Sequence, residues 1–330
     1  MDELRRLLAG YQVSQAVHVA AVLGIADLLA DGPRTSDELA EETGADPDAL
    51  FRLLRALVVV EIVEADGDRT FSLGRLGQGL RTDAPDSIAG WAAFVGRKFY
   101  WDAWGHLIDS VRTGENAFRI AHGTSVWEHR ERHPDDSVAF DRAMAAVTRR
   151  VIRPLLDAYD FGRFGTIVDV GGGNGALLGA IVERHPSVKG VLFDQPHVVE
   201  RARRVLEAAG VADRCTVEGG DFFASAPAGA DAYMLGHILH DWDDAKAGRI
   251  LDNLRRAMPA GARLLGVEHV LPEGAGQASG KLTDVNMMVI AGGRERTEAE
   301  YRRLFAAHGF RLTRVVPTAG DVSVVEGMPA

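Results

Sequence analysis

The sequence has few of the features that an oxidising compartment or a membrane would require. Its one cysteine, Cys215, excludes an internal disulfide and any metal site built from several cysteines. The most apolar stretch, residues 16–30, is interrupted by His18 and Asp27 and is too short to span a bilayer. Charged residues among the first ten positions leave no apolar core for a signal peptide. These absences predict a soluble protein of the cytoplasm.

Positive charge is also scarce, with 37 lysines and arginines against 47 acids and a formal net charge of -10. A chain of this balance repels nucleic acid and anionic membranes, so either partner would need a local basic patch. Hydrophobic residues make up 46% of the chain and charged residues 25%, which is ordinary for a soluble globular protein. The length of 330 residues accommodates two domains, each with its own core.

The first part of the chain has the pattern of a winged helix. Apolar residues recur at three- and four-residue spacing through residues 4–28, which predicts helix. Thr35 or Ser36 can cap a second helix, and Asp46 precedes a proline that opens a third. Two short strand patterns then flank a glycine turn within residues 62–73, which predicts a hairpin.

A winged helix suggests DNA binding, but the charges of this one argue against it. Residues 31–50 contain seven acids and one base, Arg34. Phosphate contacts need clustered lysine or arginine, and a recognition helix normally supplies them. We therefore expect no nucleic-acid partner and predict that this unit packs against a partner subunit.

The chain changes character at Gly165, where strand-like runs begin to alternate with helical patterns. This alternation predicts a doubly wound α/β sheet with an antiparallel strand at its end. We place the domains at residues 1–155, mostly helical, and 156–330. The predicted strands are residues 166–170, 189–193, 215–217, 232–235, 263–267, 310–315 and 322–326.

The sharpest local motif is VDVGGGNG, residues 168–175, in which a strand enters a glycine-dense turn before a helix. Glycine lets a ligand lie against the backbone. With Asp194 after the next strand, the turn fits the dinucleotide fingerprint, in which an acid binds ribose. It also fits D-x-G-x-G-x-G, beginning at Asp169. An acid beside the glycines suits cationic S-adenosylmethionine better than anionic pyrophosphate, although a plain structural turn has the same sequence.

A second acid follows the third strand of the sheet, in Gly220-Asp221-Phe222-Phe223. A carboxylate followed by a ring can accept a hydrogen bond from an adenine amine and stack on its face. A solvated acid beside a core phenylalanine would have the same sequence. The pair favours the methyl donor without excluding the alternative.

These motifs together resemble the plant-type small-molecule O-methyltransferases and their bacterial relatives in natural-product pathways. The resemblance covers nearly the whole chain and implies a Rossmann-like methyltransferase domain behind a winged-helix domain that forms a homodimer. The segments that carry it are VDVGGGNG (168–175), FDQPHV (193–198), GDFF (220–223), ILHDWDD (238–244), VEHVLPEG (267–274), GGRERTEAEY (292–301) and HGF (308–310).

The resemblance implies that His240 is the general base for a phenolic hydroxyl and that Glu268 and Glu295 flank it. A neutral imidazole can take the proton as the methyl group is transferred, and carboxylates can orient the ring. This chemistry requires no metal, and we expect none. His237, three residues earlier, is the alternative base, and a structural histidine is the alternative role for His240.

The resemblance implies one set of residues for the donor and another for the aromatic acceptor. The expected donor site consists of Asp169, Gly171, Gly173, Asp194, Gln195, Asp221, Phe222 and His237. The expected acceptor pocket consists of Trp101, Phe140, Met144, Asn286 and Met287, of which the two rings come from the aromatic-rich residues 91–150.

Two departures from the plant pattern bear on the donor site. Gly236 stands where plant members have a donor-binding lysine, and Phe222 stands where they commonly have methionine. The donor must therefore be held differently in that region. Two other functions remain open, because function depends on the site rather than the fold. One is a family relative that methylates nitrogen, hydroxylates or decarboxylates, and the other is a ligand-sensing transcription factor.

Overall fold

The computed structural model describes residues 2–274 and 280–330. The chain divides into two compact units, one of residues up to Trp101 together with 130–147, the other of residues 102–129 and 148–330. The domains expected at residues 1–155 and 156–330 stay a prediction.

Sixteen helices and twelve strands occur in the described part of the chain. The helices are α1 (Asp2–Leu8), α2 (Gly10–Val22), α3 (Ile25–Leu28), α4 (Ser36–Thr43), α5 (Pro47–Val58), α6 (Ala89–Val95), α7 (Lys98–Gly105), α8 (Leu107–Thr113), α9 (Ala117–His122), α10 (Val126–Arg132), α11 (Pro134–Ala158), α12 (Ala176–Arg184), α13 (Pro196–Ala208), α14 (Asp244–Ala257), α15 (Gly280–Val289) and α16 (Glu298–Ala307). The strands are β1 (Arg34–Thr35), β2 (Val63–Ala65), β3 (Thr70–Leu73), β4 (Thr166–Val170), β5 (Lys189–Asp194), β6 (Cys215–Gly219), β7 (Ala232–Gly236), β8 (Arg263–Glu268), β9 (Val270–Leu271), β10 (Arg296–Thr297), β11 (Phe310–Pro317) and β12 (Ser323–Pro329).

The predicted winged-helix order is confirmed in the first unit. Thr35, rather than Ser36, caps α4, and its hydroxyl and the Glu38 carboxylate form a reciprocal capping box. The Asp46 carboxylate caps α5 through the N–H of Ala49. β2 and β3 pair antiparallel as the predicted hairpin, and β1 adds to the other edge of β3.

The second unit contains the predicted doubly wound sheet. Its seven strands run in the order β11-β12-β8-β7-β4-β5-β6. β4 pairs parallel with both β5 and β7, whereas β12 is antiparallel to its neighbours β8 and β11. Apolar side chains of α12 and α13 pack on one face of the sheet and those of α14 and α16 on the other. The strand order reverses direction at β4, and a ligand crevice opens at such a point, beyond the carboxyl ends of the strands.

In the described residues, no helix has both the length and the apolar character needed to cross a membrane.

Candidate active site

The glycine motif forms a tight turn at the carboxyl end of β4. Gly171 and Gly173 have φ angles of 72° and 58°, in the left-handed region that favours glycine. A Cβ on Gly171 would lie 2.5 Å from Ile238 Cδ1, so a side chain there would force Ile238 to move. The turn leads into α12, which begins at Ala176. The predicted strand, turn and helix are therefore present.

Asp169 lies beneath this turn with only 2% of its surface exposed. Its Oδ2 has no hydrogen-bond partner among the described residues. Burial raises the pKa of its carboxyl to about 7, and the nearby charge of Asp194 adds to the effect. An unsatisfied buried carboxylate is stabilised by a cation, so this position fits the ammonium end of an amino-acid ligand.

Asp194 ends β5 and faces the same turn. Its Oδ2 accepts a hydrogen bond of 2.8 Å from the N–H of Gly173, and its Oδ1 accepts one of 2.6 Å from the N–H of Gln195. Gln195 is exposed and immediately precedes α13. The structure therefore brings Asp169, Gly173 and Asp194 together, as expected for a donor site, and leaves Gln195 at its edge.

Asp221 and Phe222 follow β6 at the same end of the sheet. Asp221 is exposed, and its Oδ1 accepts a hydrogen bond of 2.8 Å from the N–H of Phe223. The backbone oxygen of Phe222 accepts one of 2.8 Å from Asn253 Nδ2. The Phe222 ring lies 6.3 Å from Trp242 between ring centres, in an edge-on contact. The Phe222 ring is therefore partly held by the segment that carries His240.

His240 lies in a short 3₁₀ turn, Leu239–Asp241, just after β7. Its Nδ1 is 3.2 Å from Glu268 Oε2 and 3.1 Å from Glu295 Oε1. Both carboxylates are close enough to stabilise a positive charge on the ring, although neither contact is a well-formed hydrogen bond. All three side chains are buried. The sequence expectation that two acids flank this histidine is thus met in the geometry.

Glu268, at the end of β8, also holds the turn itself. Its Oε1 accepts hydrogen bonds from the backbone N–H groups of Ile238 at 3.1 Å and Leu239 at 2.8 Å. One oxygen of the carboxylate therefore supports the backbone while the other faces the His240 ring. This double contact positions His240 relative to the sheet.

The charges around His240 favour the protonated form of its ring. Burial lowers the pKa of the imidazole, but the carboxylates of Glu268 and Glu295 outweigh burial and raise the pKa to about 10. Burial raises the pKa of Glu268 to about 7, even though the charge on His240 acts in the opposite direction. The three groups form one coupled buried cluster.

Arg296 is a functional residue that the sequence analysis missed. It is 1% exposed, and its guanidinium donates to the backbone oxygens of Leu239 at 2.8 Å and Trp242 at 2.9 Å. It also donates to Asp244 Oδ1 at 3.0 Å and 2.8 Å. Arg296 therefore brackets the turn that carries His240. The sequence pointed to Arg296 only through its position next to Glu295, which was an expected site residue.

Gly293 is a second missed residue, and it allows two backbone segments to meet. The N–H of Arg294 donates to the backbone oxygen of His240 at 2.8 Å. A Cβ on Gly293 would lie 2.0 Å from that same oxygen. The close approach needs glycine, because the atoms opposite are backbone and cannot swing aside.

His237 occupies an unusual position next to this cluster. Its φ is 56°, which is uncommon for a residue with a side chain. It precedes the 3₁₀ turn, so the two histidines do not share a helix face, and their ring centres are 5.4 Å apart. Burial lowers the pKa of His237 well below its usual value. Its roles as a donor-binding residue and as an alternative base stay predictions.

The five expected acceptor residues fall in both units, three in the first and two in the second. In the first, the Trp101 ring contacts Tyr11 at 6.5 Å, and Phe140 contacts Phe94 at 5.6 Å. Met144 lies on the same helix as Phe140. In the second, Asn286 and Met287 lie on α15, and Met287 is 9% exposed. Their shared role in a pocket stays a prediction.

One part of the second unit, residues 102–129, is anchored to α15. Asn116 Nδ2 donates to the backbone oxygens of Met288 at 2.8 Å and Val289 at 3.0 Å. Trp127 stacks on Trp242 at 5.1 Å with the rings 26° apart. The segment therefore contacts both a helix of the expected acceptor pocket and Trp242, which follows the turn that carries His240.

Comparison with known proteins finds two family models in tandem. A model described as an O-methyltransferase domain matches residues 104–311. A model described as an O-methyltransferase dimerisation domain matches residues 5–83. Together they span most of the chain in the order that the resemblance implies.

Among curated proteins, the phenazine O-methyltransferase PhzM of Lysobacter antibioticus is 45% identical over 326 residues, 99% of this chain and 95% of that protein. The crystal structure of LaPhzM has a TM-score of 0.96 and 45% identity, covering 100% of this chain and 99% of that one. An O-methyltransferase from neocarzinostatin biosynthesis, solved with S-adenosylmethionine and 2-hydroxy-5-methyl naphthoic acid, has a TM-score of 0.83 and 34% identity, covering 96% of each chain.

Proposed function

Because this chain belongs to the O-methyltransferase family that carries its own dimerisation domain, we propose that it methylates a hydroxyl of a small aromatic natural product, with His240 as general base. The enzyme is a methyltransferase that uses S-adenosylmethionine, as the fit of its glycine turn and its relatives both indicate. The aromatic acceptor is supported by the relatives, which include a phenazine enzyme and a structure holding a naphthoic acid.

The donor site is proposed at the carboxyl ends of β4, β5 and β6. Asp169 would face the cationic amino-acid end, Asp194 would accept from the ribose hydroxyls, and Asp221 with Phe222 would bracket the adenine. S-adenosylmethionine supplies a methyl group on a sulfonium, which leaves as a neutral thioether. The buried, unsatisfied Oδ2 of Asp169 is the structural observation that fits this cationic ligand.

One observation carries the proposal that His240 is the base: two buried carboxylates converge on its Nδ1, at 3.1 and 3.2 Å. A proton held on Nδ1 by these acids leaves Nε2 as the basic nitrogen. The pKa of about 10 that they confer on His240 is close to the value of about 10 for a free phenol. A ring with this pKa is imidazolium at neutral pH, and only its deprotonated fraction accepts the phenol proton, so kcat should rise with pH towards 10.

We further propose that the enzyme is a homodimer of the cytoplasm with no nucleic-acid or membrane partner. The dimerisation-domain match covers residues 5–83, and apolar side chains of α1 and α2 are exposed in the single chain, including Leu7, Leu8 and Val22. Exposed apolar side chains clustered on one segment are typical of a subunit interface. The net charge of -10 supports the exclusion of polyanions.

The test is methyl transfer from labelled S-adenosylmethionine to a panel of phenols, naphthols and hydroxylated phenazines, with matched arylamines. We expect the wild type to methylate one or more of the hydroxyl compounds. His240→Ala should lower kcat by about 10²–10⁴-fold while the Kd of S-adenosylhomocysteine, measured by calorimetry, stays within about threefold.

A matched control is His106→Ala, which removes a half-exposed imidazole on the surface. It should retain wild-type turnover. Unchanged turnover in a folded His240→Ala would refute the assignment of the base. Methylation of arylamines alone would replace O-methylation by the N-methylating alternative.

A further inference from the structure

His237 has three properties that proton abstraction by His240 does not explain. Its backbone is left-handed, with φ at 56°, a conformation that clusters at functional sites in proteins. Its Nε2 is buried without a hydrogen-bond partner within residues 2–274 and 280–330. Its ring leans towards His240, with the ring centres 5.4 Å apart. A buried ring nitrogen that contacts no donor or acceptor is costly unless a ligand satisfies it.

Three side chains converge on one position beside His237. One ring nitrogen of His237, one of His240 and one carboxylate oxygen of Glu268 all lie within 4.8 Å of one another. Ligand atoms around a tetrahedral zinc ion are about 3.3 Å apart, as metal–ligand bonds of about 2.0–2.1 Å dictate. His240 Nδ1 and Glu268 Oε2 are already 3.2 Å apart. The remaining separations, of up to 4.8 Å, must shorten towards this value when an ion binds.

The donor set also selects the class of ion. Two imidazoles with one carboxylate hold the catalytic zinc of several hydrolases, whereas magnesium and calcium prefer sites made of oxygen. Glu295, at 3.1 Å from His240 Nδ1, adds a second negative charge beside the three ligands. A dication is therefore compensated by two carboxylates without leaving an unpaired buried charge.

We propose that His237, His240 and Glu268 form a binding site for a divalent transition metal of the zinc class, and that occupancy of this site inhibits the enzyme. The inhibitory part rests on the proposed role of His240 as base. A metal ion takes the nitrogen lone pair and displaces the proton of the imidazole, so the metal-bound ring accepts no proton from an acceptor hydroxyl. The active enzyme is the metal-free form.

The metal site is tested without turnover, on the full chain stripped of metal with a chelator. Cobalt(II) added to the wild type should give the intense visible absorption of a low-coordinate site with nitrogen ligands, and zinc should abolish it. His237→Asn should weaken cobalt and zinc binding by about tenfold or more. Asparagine tolerates the left-handed backbone at this position, so the variant removes the ring without straining the chain. The matched control is His269→Gln, whose ring centre is 5.8 Å from His237 but which lies outside the three-residue group.

Inhibition is then measured in zinc buffers with a phenolic acceptor. Micromolar free zinc should lower the rate of the wild type, whereas millimolar magnesium should not. The zinc concentration that gives half inhibition should rise about tenfold or more in His237→Asn, and it should stay at the wild-type value in His269→Gln. No cobalt spectrum on folded wild type, or zinc binding of wild-type affinity in His237→Asn, would overturn the site. Zinc binding without inhibition would overturn the regulatory role. An enzyme that binds zinc but transfers no methyl group in chelator would instead contradict the proposed function.

Discussion

Gly293→Ala should disable catalysis while leaving donor binding intact. The added Cβ would lie 2.0 Å from the backbone oxygen of His240, 2.3 Å from the carbonyl carbon of Asp241 and 2.5 Å from the N–H nitrogen of Trp242. Ordinary contact begins at 3.4 Å, so the two segments must separate by about 1.4 Å. All three atoms are backbone, and no side-chain rotation relieves the contact.

The separation acts directly on the base. It moves His240 away from Glu295 and breaks the bond of 2.8 Å between the N–H of Arg294 and the His240 oxygen. Misplacement of a catalytic group by about 1 Å costs about 10²-fold in rate, so kcat should fall by about 10²-fold or more. Overpacking should lower the free energy of unfolding by about 1–3 kcal/mol.

The assay is single-turnover methyl transfer at saturating donor and acceptor, with S-adenosylhomocysteine binding measured by calorimetry. Gly261→Ala is the matched control, because its Cβ would meet no described atom within 4 Å. That variant should retain wild-type kcat. A folded Gly293→Ala protein with kcat within about twofold of wild type would show that the His240 turn need not be held in place for catalysis, contrary to the positional argument.

Three further substitutions test other parts of the structure. Arg296→Met removes the guanidinium donor from the buried backbone oxygen of Leu239 and the partly buried one of Trp242, and should lower the free energy of unfolding in urea by about 2–4 kcal/mol. Arg296→Lys should restore less than half of this loss, and full stability in Arg296→Met would contradict the role of Arg296 in holding the turn. Asp169→Asn should stabilise the free enzyme by about 2–4 kcal/mol at pH 8 but little at pH 4, because the pKa of Asp169 is raised to about 7 in the folded protein and its ionisation above that pH opposes folding. The variant should also bind the donor more weakly. Equal stabilisation at both pH values would refute the raised pKa of Asp169. Thr35→Ala removes the hydroxyl that caps α4 and should lower the free energy of unfolding by about 0.5–2 kcal/mol without changing kcat. A loss of turnover in this variant would contradict a role for Thr35 that is limited to capping the helix.

The confirmed predictions from sequence share one physical basis, which is that they depend on short-range patterns. Alternating and helical periodicities identified the winged helix and the strands of the α/β sheet because side-chain direction follows backbone period. The side chains of Thr35 and Asp46 accept hydrogen bonds from backbone N–H groups in the first turn of the helix that follows each of them. The glycine turn at residues 168–175 was recognisable in the sequence because its left-handed backbone angles favour glycine.

The candidate site was predicted residue by residue through the family resemblance, but its internal geometry was not. Glu268 and Glu295 were expected near His240, yet their convergence on one ring nitrogen depends on the pairing of β7 with β8 and of β9 with β10. Arg296 escaped notice because a buried arginine and an exposed one look alike in a sequence.

The sequence by itself determined the helices and strands of this protein, its glycine turn and the proposal of His240 as the base, since each depends on neighbouring residues or on a family motif. The tertiary structure alone decided how strongly His240 binds a proton, why position 293 must be glycine, and that His237 is strained and unsatisfied beside Glu268. Charge coupling and close packing depend on distances of a few ångströms between residues far apart in the chain. Those distances exist only once the strands have paired.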